Sequence, residues 1–208
     1  MMKLGQCAAL TTSPLTGTWY RAIQPKFWTT ALATAHTRTI PSRFSAASLA
    51  RPGFELLYLA EDHQVALFET QALLGSPLPG SPVVPNPASA WVIVNVSVAL
   101  SNVANLCSAS ERKLIGTSVQ ELTGDWRGYV LRNPRTNPRA SFGTPVPTQK
   151  LGAALNAVPD LEGFTTYSAK VPTHRNLVVF PQKVRPGSQI RLTLVDPSTG
   201  RLHTATIP

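Results

Sequence analysis

The amino-acid sequence predicts a single domain of mixed α+β class, with largely antiparallel strands and flanking helices. Three observations carry that reading. Phe54–Ala60 (FELLYLA) and Ala90–Leu100 (AWVIVNVSVAL) alternate as strands do, the second with Val92, Val94, Val96 and Val98 on one face. Residues 61–74 follow the first strand at once with a helical period. Gln189–Pro208 reads as a terminal hairpin turning at Pro197–Gly200.

From the N-terminus, residues 1–16 are an extension and residues 17–208 form the domain. Gly17–Gln24 (GTWYRAIQ) is a short strand or strand end; residues 25–36 show no clear period, and 41–53 (PSRFSAASLARPG) read as loop. In Phe54–Ala60, Tyr58 shares a face with Phe54 and Leu56. The helix over 61–74 carries Asp62 near its start, where a carboxylate is favourable. Gly75–Ser89 holds five prolines and two glycines, which exclude a regular helix or an interior strand and make it a connecting loop. Ser118 followed by Glu121 resembles a capping box, so a helix starts near Thr117 or Ser118. Thr148–Ala157 is a helix despite Gly152, and Arg175–Phe180 a buried strand.

Charge narrows the partners. The chain of 208 residues carries a net charge of +9 with only 10 acidic residues, a balance that favours nucleic acid, an acidic protein or a phosphate-bearing ligand. The cations are scattered except for Arg132, Arg135 and Arg139, which read as a solvated loop. Cys7 and Cys107 make neither a disulfide framework nor a metal-ligand spacing, so a reducing, cytoplasmic setting is the simpler reading. No stretch approaches the roughly 20 apolar residues that cross a membrane, and the first residues make a poor signal peptide. The four histidines are far apart, no GxGxxG, P-loop, HExxH or GxSxG motif occurs, and a metal site is not expected.

Glu69 does not fit the pattern around it. At about 100° per residue, Val65, Phe68, Ala72 and Leu73 fall on one arc and Glu69 points into its middle. A buried carboxylate is costly unless it is paired or hydrogen-bonded. Glu69 therefore either meets a partner such as Arg21 or Arg43 inside the fold, or faces a cleft. Arg21 (WYR), Arg43 (SRF), Tyr58 and Ser168 (YSAK) are further polar residues in apolar or aromatic settings. Taken singly, each also suits a structural role, an arginine with its stem packed or a strand tyrosine with a satisfied hydroxyl.

Taken together, Tyr20-Arg21, RFSA from Arg43, LYLAEDHQVALFE ending at Glu69, and YSAKVPTHRNLVVF holding Ser168 resemble the RES-domain family, named for its arginine, glutamate and serine. The match runs roughly from Gly17 to Phe180. Here the family's RFNP reads RFSA, Tyr167 stands where proline usually precedes the serine, and the proline-rich segment 75–89 is an insertion. The resemblance implies an ADP-ribosyltransferase-like fold with an NAD cleft, and enzymes that degrade NAD by phosphorolysis or hydrolysis of the nicotinamide–ribose bond. Such enzymes act as toxins held inactive by a cognate antitoxin. It further implies Arg43, Glu69 and Ser168 as catalytic residues and Arg21, Tyr58 and Trp126 as substrate-binding ones. Glu69 would stabilise the ribosyl cation, the two arginines would hold pyrophosphate or incoming phosphate, Tyr58 would stack on the nicotinamide and Ser168 would position a ribose or phosphate group. NAD is then a substrate, with no resident cofactor and with inorganic phosphate or water as acceptor, and nucleic acid is contacted only through an antitoxin or not at all. The rivals are an ADP-ribosyltransferase that modifies a macromolecule and a non-catalytic basic module that binds nucleic acid; the second leaves Glu69 unexplained.

Overall fold

The computed structural model describes residues 2–78, 80–88, 90–131, 145–195 and 199–208. In chain order the elements are strand β1 (Thr12–Ile23), β2 (Leu57–Ala60), helix α1 (His63–Glu69), β3 (Leu73–Gly75), β4 (Val83–Pro85), β5 (Val92–Asn105), α2 (Ala109–Ile115), α3 (Val119–Thr123), α4 (Trp126–Leu131), α5 (Pro147–Ala157), β6 (Gly163–Tyr167), β7 (Arg175–Val179), β8 (Gln189–Val195) and β9 (Leu202–Ile207). Short 3₁₀ turns cover Leu4–Ala9, Pro25–Thr30, Ala35–Arg38 and Pro181–Lys183. This is the mixed α+β, single-domain architecture that the sequence predicts.

Seven strands form one sheet in the order β1-β2-β7-β6-β5-β8-β9, and β1 also pairs with β5. The long β5 can serve several partners because its length is divided. It pairs with β1 along nearly all of it, from Ile23↔Val92 to Thr12↔Ala104, with β8 over Val96–Ala99, and with β6 over Val103–Asn105. The β5–β6 pair is parallel and the other pairs are antiparallel. Strand alternation sorts the core into two faces. Leu57, Leu59, Leu177 and Val179 pack with Val94, Val96 and Val98 in one cluster. Leu56, Val178 and Phe180, with Phe54 and Tyr58 beside them, pack with Phe44, Phe164 and residues of α2, α3 and α5 in another. Phe54, Leu56 and Tyr58 thus share a face, as their spacing predicts.

The helix expected over residues 61–74 is shorter and ends at Glu69. Asp62 starts it, its side chain accepting the amides of Gln64 and Val65, a cap worth about 1 kcal/mol. Gln71 stops it by turning to φ 59°. The amides of Gln71 and Ala72 then bond back to the carbonyls of Phe68 and Leu67, the pairing that closes a helix with a left-handed residue just past its end. Ala72 and Leu73 therefore lie off the helix, and Leu73 begins the β3–β4 hairpin, whose second strand lies in the proline-rich segment. Val65, Ala66 and Phe68 supply the buried face against Ala22 and Ala60.

Other elements differ in extent. β1 starts at Thr12, and the turn before it is built into the same body: Cys7 is buried and the Lys3 amide donates to the Ile115 carbonyl. Ser118 caps α3 by accepting the Glu121 amide. The sequence reading did not anticipate β6 or α2. The Arg132, Arg135 and Arg139 cluster lies outside the described residues, as does part of the turn between β8 and β9. Among the described residues no helix is long and apolar enough to cross a membrane, and no group of three or more His, Cys, Asp or Glu could hold a metal.

Candidate functional site

Glu69 is the last residue of α1, at the negative end of the helix, an unfavourable place for a carboxylate. Three donors offset this, all on one oxygen. Oε1 accepts from Ser168 Oγ at 2.6 Å, the Ala169 amide at 3.0 Å and Asn176 Nδ2 at 2.8 Å. Oε2 accepts no hydrogen bond among the described residues, and Glu69 makes no ion pair there. Ser168 is fully buried just after β6, and its Oγ also accepts the amides of Lys170 and Val171. Its hydroxyl is thereby committed to Glu69 and to its own turn. Asn176 stands on β7 opposite Thr166 of β6.

Glu69 borders two cavities. The larger, about 820 Å³, is lined among others by Arg43, Tyr58, Asp125, Trp126, Thr166 and Asn176. The smaller, about 260 Å³, shares Tyr58, Glu69, Thr70 and Asn176 with it and adds Tyr20 and Arg21. The alternative of a carboxylate filling the core is thereby set aside.

Polar atoms around these spaces lack partners. Arg21 Nη1, Thr166 Oγ1 and Asn176 Oδ1 are buried and form no hydrogen bond among the described residues. Arg21 belongs to β1 and makes no ion pair among the described residues. Burial pulls its guanidinium down to about 10. A buried cation without an anion is costly, so this position favours an anionic ligand.

Arg43 lines the larger cavity in the loop before β2. Its Nη1 donates to the carbonyls of Leu122 at 3.1 Å and Gly124 at 2.6 Å, tying that loop to the end of α3. Burial lowers its pKa, while Glu69, Tyr58 and Asp125 push it back up. Helix α5 holds the same loop from beneath: Gln149 Nε2 donates to the carbonyls of Ser42 and Ser45. Gly152 lets the helix approach, since a Cβ there would come within 1.9 Å of the Phe44 carbonyl oxygen. Tyr58 lines both cavities and shares a 2.9 Å hydrogen bond with Ser42 Oγ. Burial pushes its phenol up to about 12, so it is neutral at ordinary pH.

Five of the six residues singled out in the sequence, Arg21, Arg43, Tyr58, Glu69 and Trp126, line one or both cavities; Ser168 lies behind them. The sequence reading passed over Asn176 and Thr166. An asparagine inside the apolar run RNLVVF was the available signal; Thr166 sat in a strand that was not recognised.

Comparisons with known proteins agree with this architecture. The family model described as the RES domain matches residues 18–202. A search of curated proteins returns no match. Among solved structures, the chain is similar to one from the crystal structure of the M. tuberculosis MbcT–MbcA toxin–antitoxin complex, with a TM-score of 0.56 and 18% identity over 98% of this chain and 89% of that one. At that identity the likeness speaks to the fold alone. The family match spans almost the whole domain, from β1 to the start of β9, and contains every residue that borders the two cavities: this chain belongs to the RES-domain family.

Proposed function

We propose that this protein cleaves the nicotinamide–ribose bond of NAD, by phosphorolysis or hydrolysis, and acts as the toxin of a toxin–antitoxin pair. The observation that carries the reading is the divided environment of Glu69. One carboxylate oxygen is held by three donors, and the other has no partner among the described residues while Glu69 borders two cavities. Heterolysis of the N-glycosidic bond leaves positive charge on the ribose carbon as nicotinamide departs with the bonding electron pair. A preorganised carboxylate beside that carbon stabilises the charge as it forms. Phosphate or water then adds to the ribose carbon, and water gives up a proton in doing so.

The remaining residues divide the work. Arg21 and Arg43 supply positive charge for pyrophosphate or the incoming acceptor; Arg21 is the one with a wholly unpartnered Nη1, while Arg43 spends Nη1 on two carbonyls. Asn176 Oδ1 and Thr166 Oγ1, on paired strands, can bond ribose hydroxyls. Tyr58 provides aromatic surface for the nicotinamide ring, and Trp126 lines the larger cavity as a further substrate-binding aromatic. Ser168 acts through Glu69, as a positioning residue. NAD is the substrate, not a recycled cofactor.

A toxin of this kind needs restraint, and a chain of net charge +9 suits an acidic partner placed over the cleft. The structural relative was solved as a toxin–antitoxin complex. The cytoplasm, where NAD is available, is the proposed site of action.

The test is to incubate the purified protein with NAD, with and without phosphate, and identify the products by mass spectrometry. Free nicotinamide with ADP-ribose, or with its phosphate ester when phosphate is present, is expected. Unchanged NAD, or ADP-ribose attached to a macromolecule, would overturn the proposal.

A further inference from the structure

A third cavity, of about 360 Å³, lies beside the larger one and shares Asp125 and Trp126 with it. Ser118, Gln120 and Glu121 from the start of α3 line one wall, and Pro147 and Thr148 from the start of α5 line another. Thr148 is only 3% exposed, and its Oγ1 has no hydrogen-bond partner. It is the second residue of an eleven-residue helix, and the amides of a first helical turn lack partners within the helix. Gln149, the next residue, is otherwise engaged: its Oε1 accepts the Val146 amide and its Nε2 holds the Arg43 loop. Thr148 is therefore the polar side chain that this helix end offers to the cavity, and no described residue bonds it.

From this we infer that the cavity between the starts of α3 and α5 is a subsite for the adenosine end of the dinucleotide, an inference that rests on the proposed NAD-cleaving function. The lining suits a neutral, hydroxyl-rich ligand. Glu121 spends Oε2 on Thr117 Oγ1 and places a carboxylate on the wall, which disfavours a phosphate. Carboxylates suit ribose hydroxyls, which donate to them, and a base can stack on Trp126. Trp126 lines both spaces, so a dinucleotide with its reactive end beside Glu69 can pass it and place its far end against Thr148. The hydroxyl of Thr148 distinguishes this placement from a merely apolar slot.

The experiment compares NAD with nicotinamide mononucleotide, which has the scissile bond but no adenosine. It uses wild type, Thr148→Val and Gln120→Trp, and measures AMP and pyrophosphate binding by calorimetry on the same preparations. Valine keeps the volume of Thr148 and removes an oxygen that bonds nothing; Gln120 is exposed, so tryptophan there fills the cavity without touching the core. Wild type should favour NAD, and each variant should lower the NAD-to-mononucleotide ratio of kcat/KM by about five-fold or more, mainly through KM, as loss of a hydrogen bond or of the space predicts. AMP affinity should fall in parallel. An unchanged ratio in both variants, or a wild type that does not bind AMP, overturns the subsite. Thr148-dependent binding of pyrophosphate but not AMP overturns the adenosine placement. If wild type consumes neither nucleotide, the NAD-cleavage proposal fails, while AMP binding that depends on Thr148 still upholds the subsite.

Discussion

Two carboxylates of the fold, Glu162 buried and Glu69 half-buried, show how residue-scale surroundings separate a structural group from a functional one. Glu162 is fully buried and both its oxygens are spent on backbone amides: Oε2 on Ser101 and Asn102, Oε1 on Arg185. Glu69 commits only Oε1. Replacing Glu69 by Gln keeps an acceptor for the three donors and removes the charge. The variant should melt near wild type and still bind NAD, yet lose about 2–4 kcal/mol of transition-state stabilisation, on the order of 100-fold or more in rate. Thermal unfolding beside NAD turnover on one preparation checks this; a folded variant with wild-type turnover would sink the catalytic role. Arg21 predicts the opposite pairing of effects. Because no described group relies on its Nη1, Arg21→Met orphans no described partner and relieves a buried charge. Its melting temperature should equal or exceed that of wild type while kcat/KM for NAD falls at least about ten-fold, the scale of one lost charge-assisted contact. A clear drop in stability would mean that Arg21 is structural after all.

At the scale of elements, two local devices place the site. The first is the end of α1, where Gln71 at φ 59° stops the helix directly after Glu69. Ending the helix there leaves Glu69 beside the turn after β6, within reach of Ser168 and Ala169. The second is the contact of α5 with the Arg43 loop through Gly152. Alanine in a helix interior is ordinarily favoured over glycine by about 1 kcal/mol. Here the added Cβ meets backbone that cannot rotate away, and overpacking of this kind costs about 1–3 kcal/mol. Gly152→Ala should therefore lower stability by a net of up to about 2 kcal/mol and reduce activity beyond what unfolding explains, because the displaced loop carries Arg43. Urea denaturation with kinetics at a temperature where the variant is folded tests both parts. A stabilised, fully active variant would show that the loop yields freely.

At the scale of the whole molecule, pairing of β5 with β1, β6 and β8 ties chain ends and middle into one sheet, and the site sits where β2, β6 and β7 meet α1 and the loop before β2. The net charge of +9 belongs to this scale too, since its field acts on association more than on folding. If the partner is acidic, as proposed above, its association should slow steeply as salt rises from low ionic strength, where the screening length is about 30 Å at 0.01 M, to 0.15 M, where it is about 8 Å. Stopped-flow association across that range measures it. An association rate indifferent to salt would show that charge does not guide the partner.

The sequence by itself determined the class of fold, the main strands with their buried faces, a helix opening near Asp62, and four polar residues that border the cavities, Arg21, Arg43, Tyr58 and Glu69; the fifth, Trp126, followed from the family resemblance. These are local properties: alternation, capping and unusual polar residues are written within a few positions of one another. Tertiary structure alone decided that Glu69 answers to Ser168, Ala169 and Asn176 rather than to an arginine, and that Arg21 is left unpaired among the described residues. It also decided that Gly152 is a point of contact and not a flaw in its helix. Those partners lie about a hundred residues away along the chain, or on a strand whose threonines read weakly in isolation. Burial and hydrogen bonding belong to groups brought together by the fold, so no window of sequence contains them.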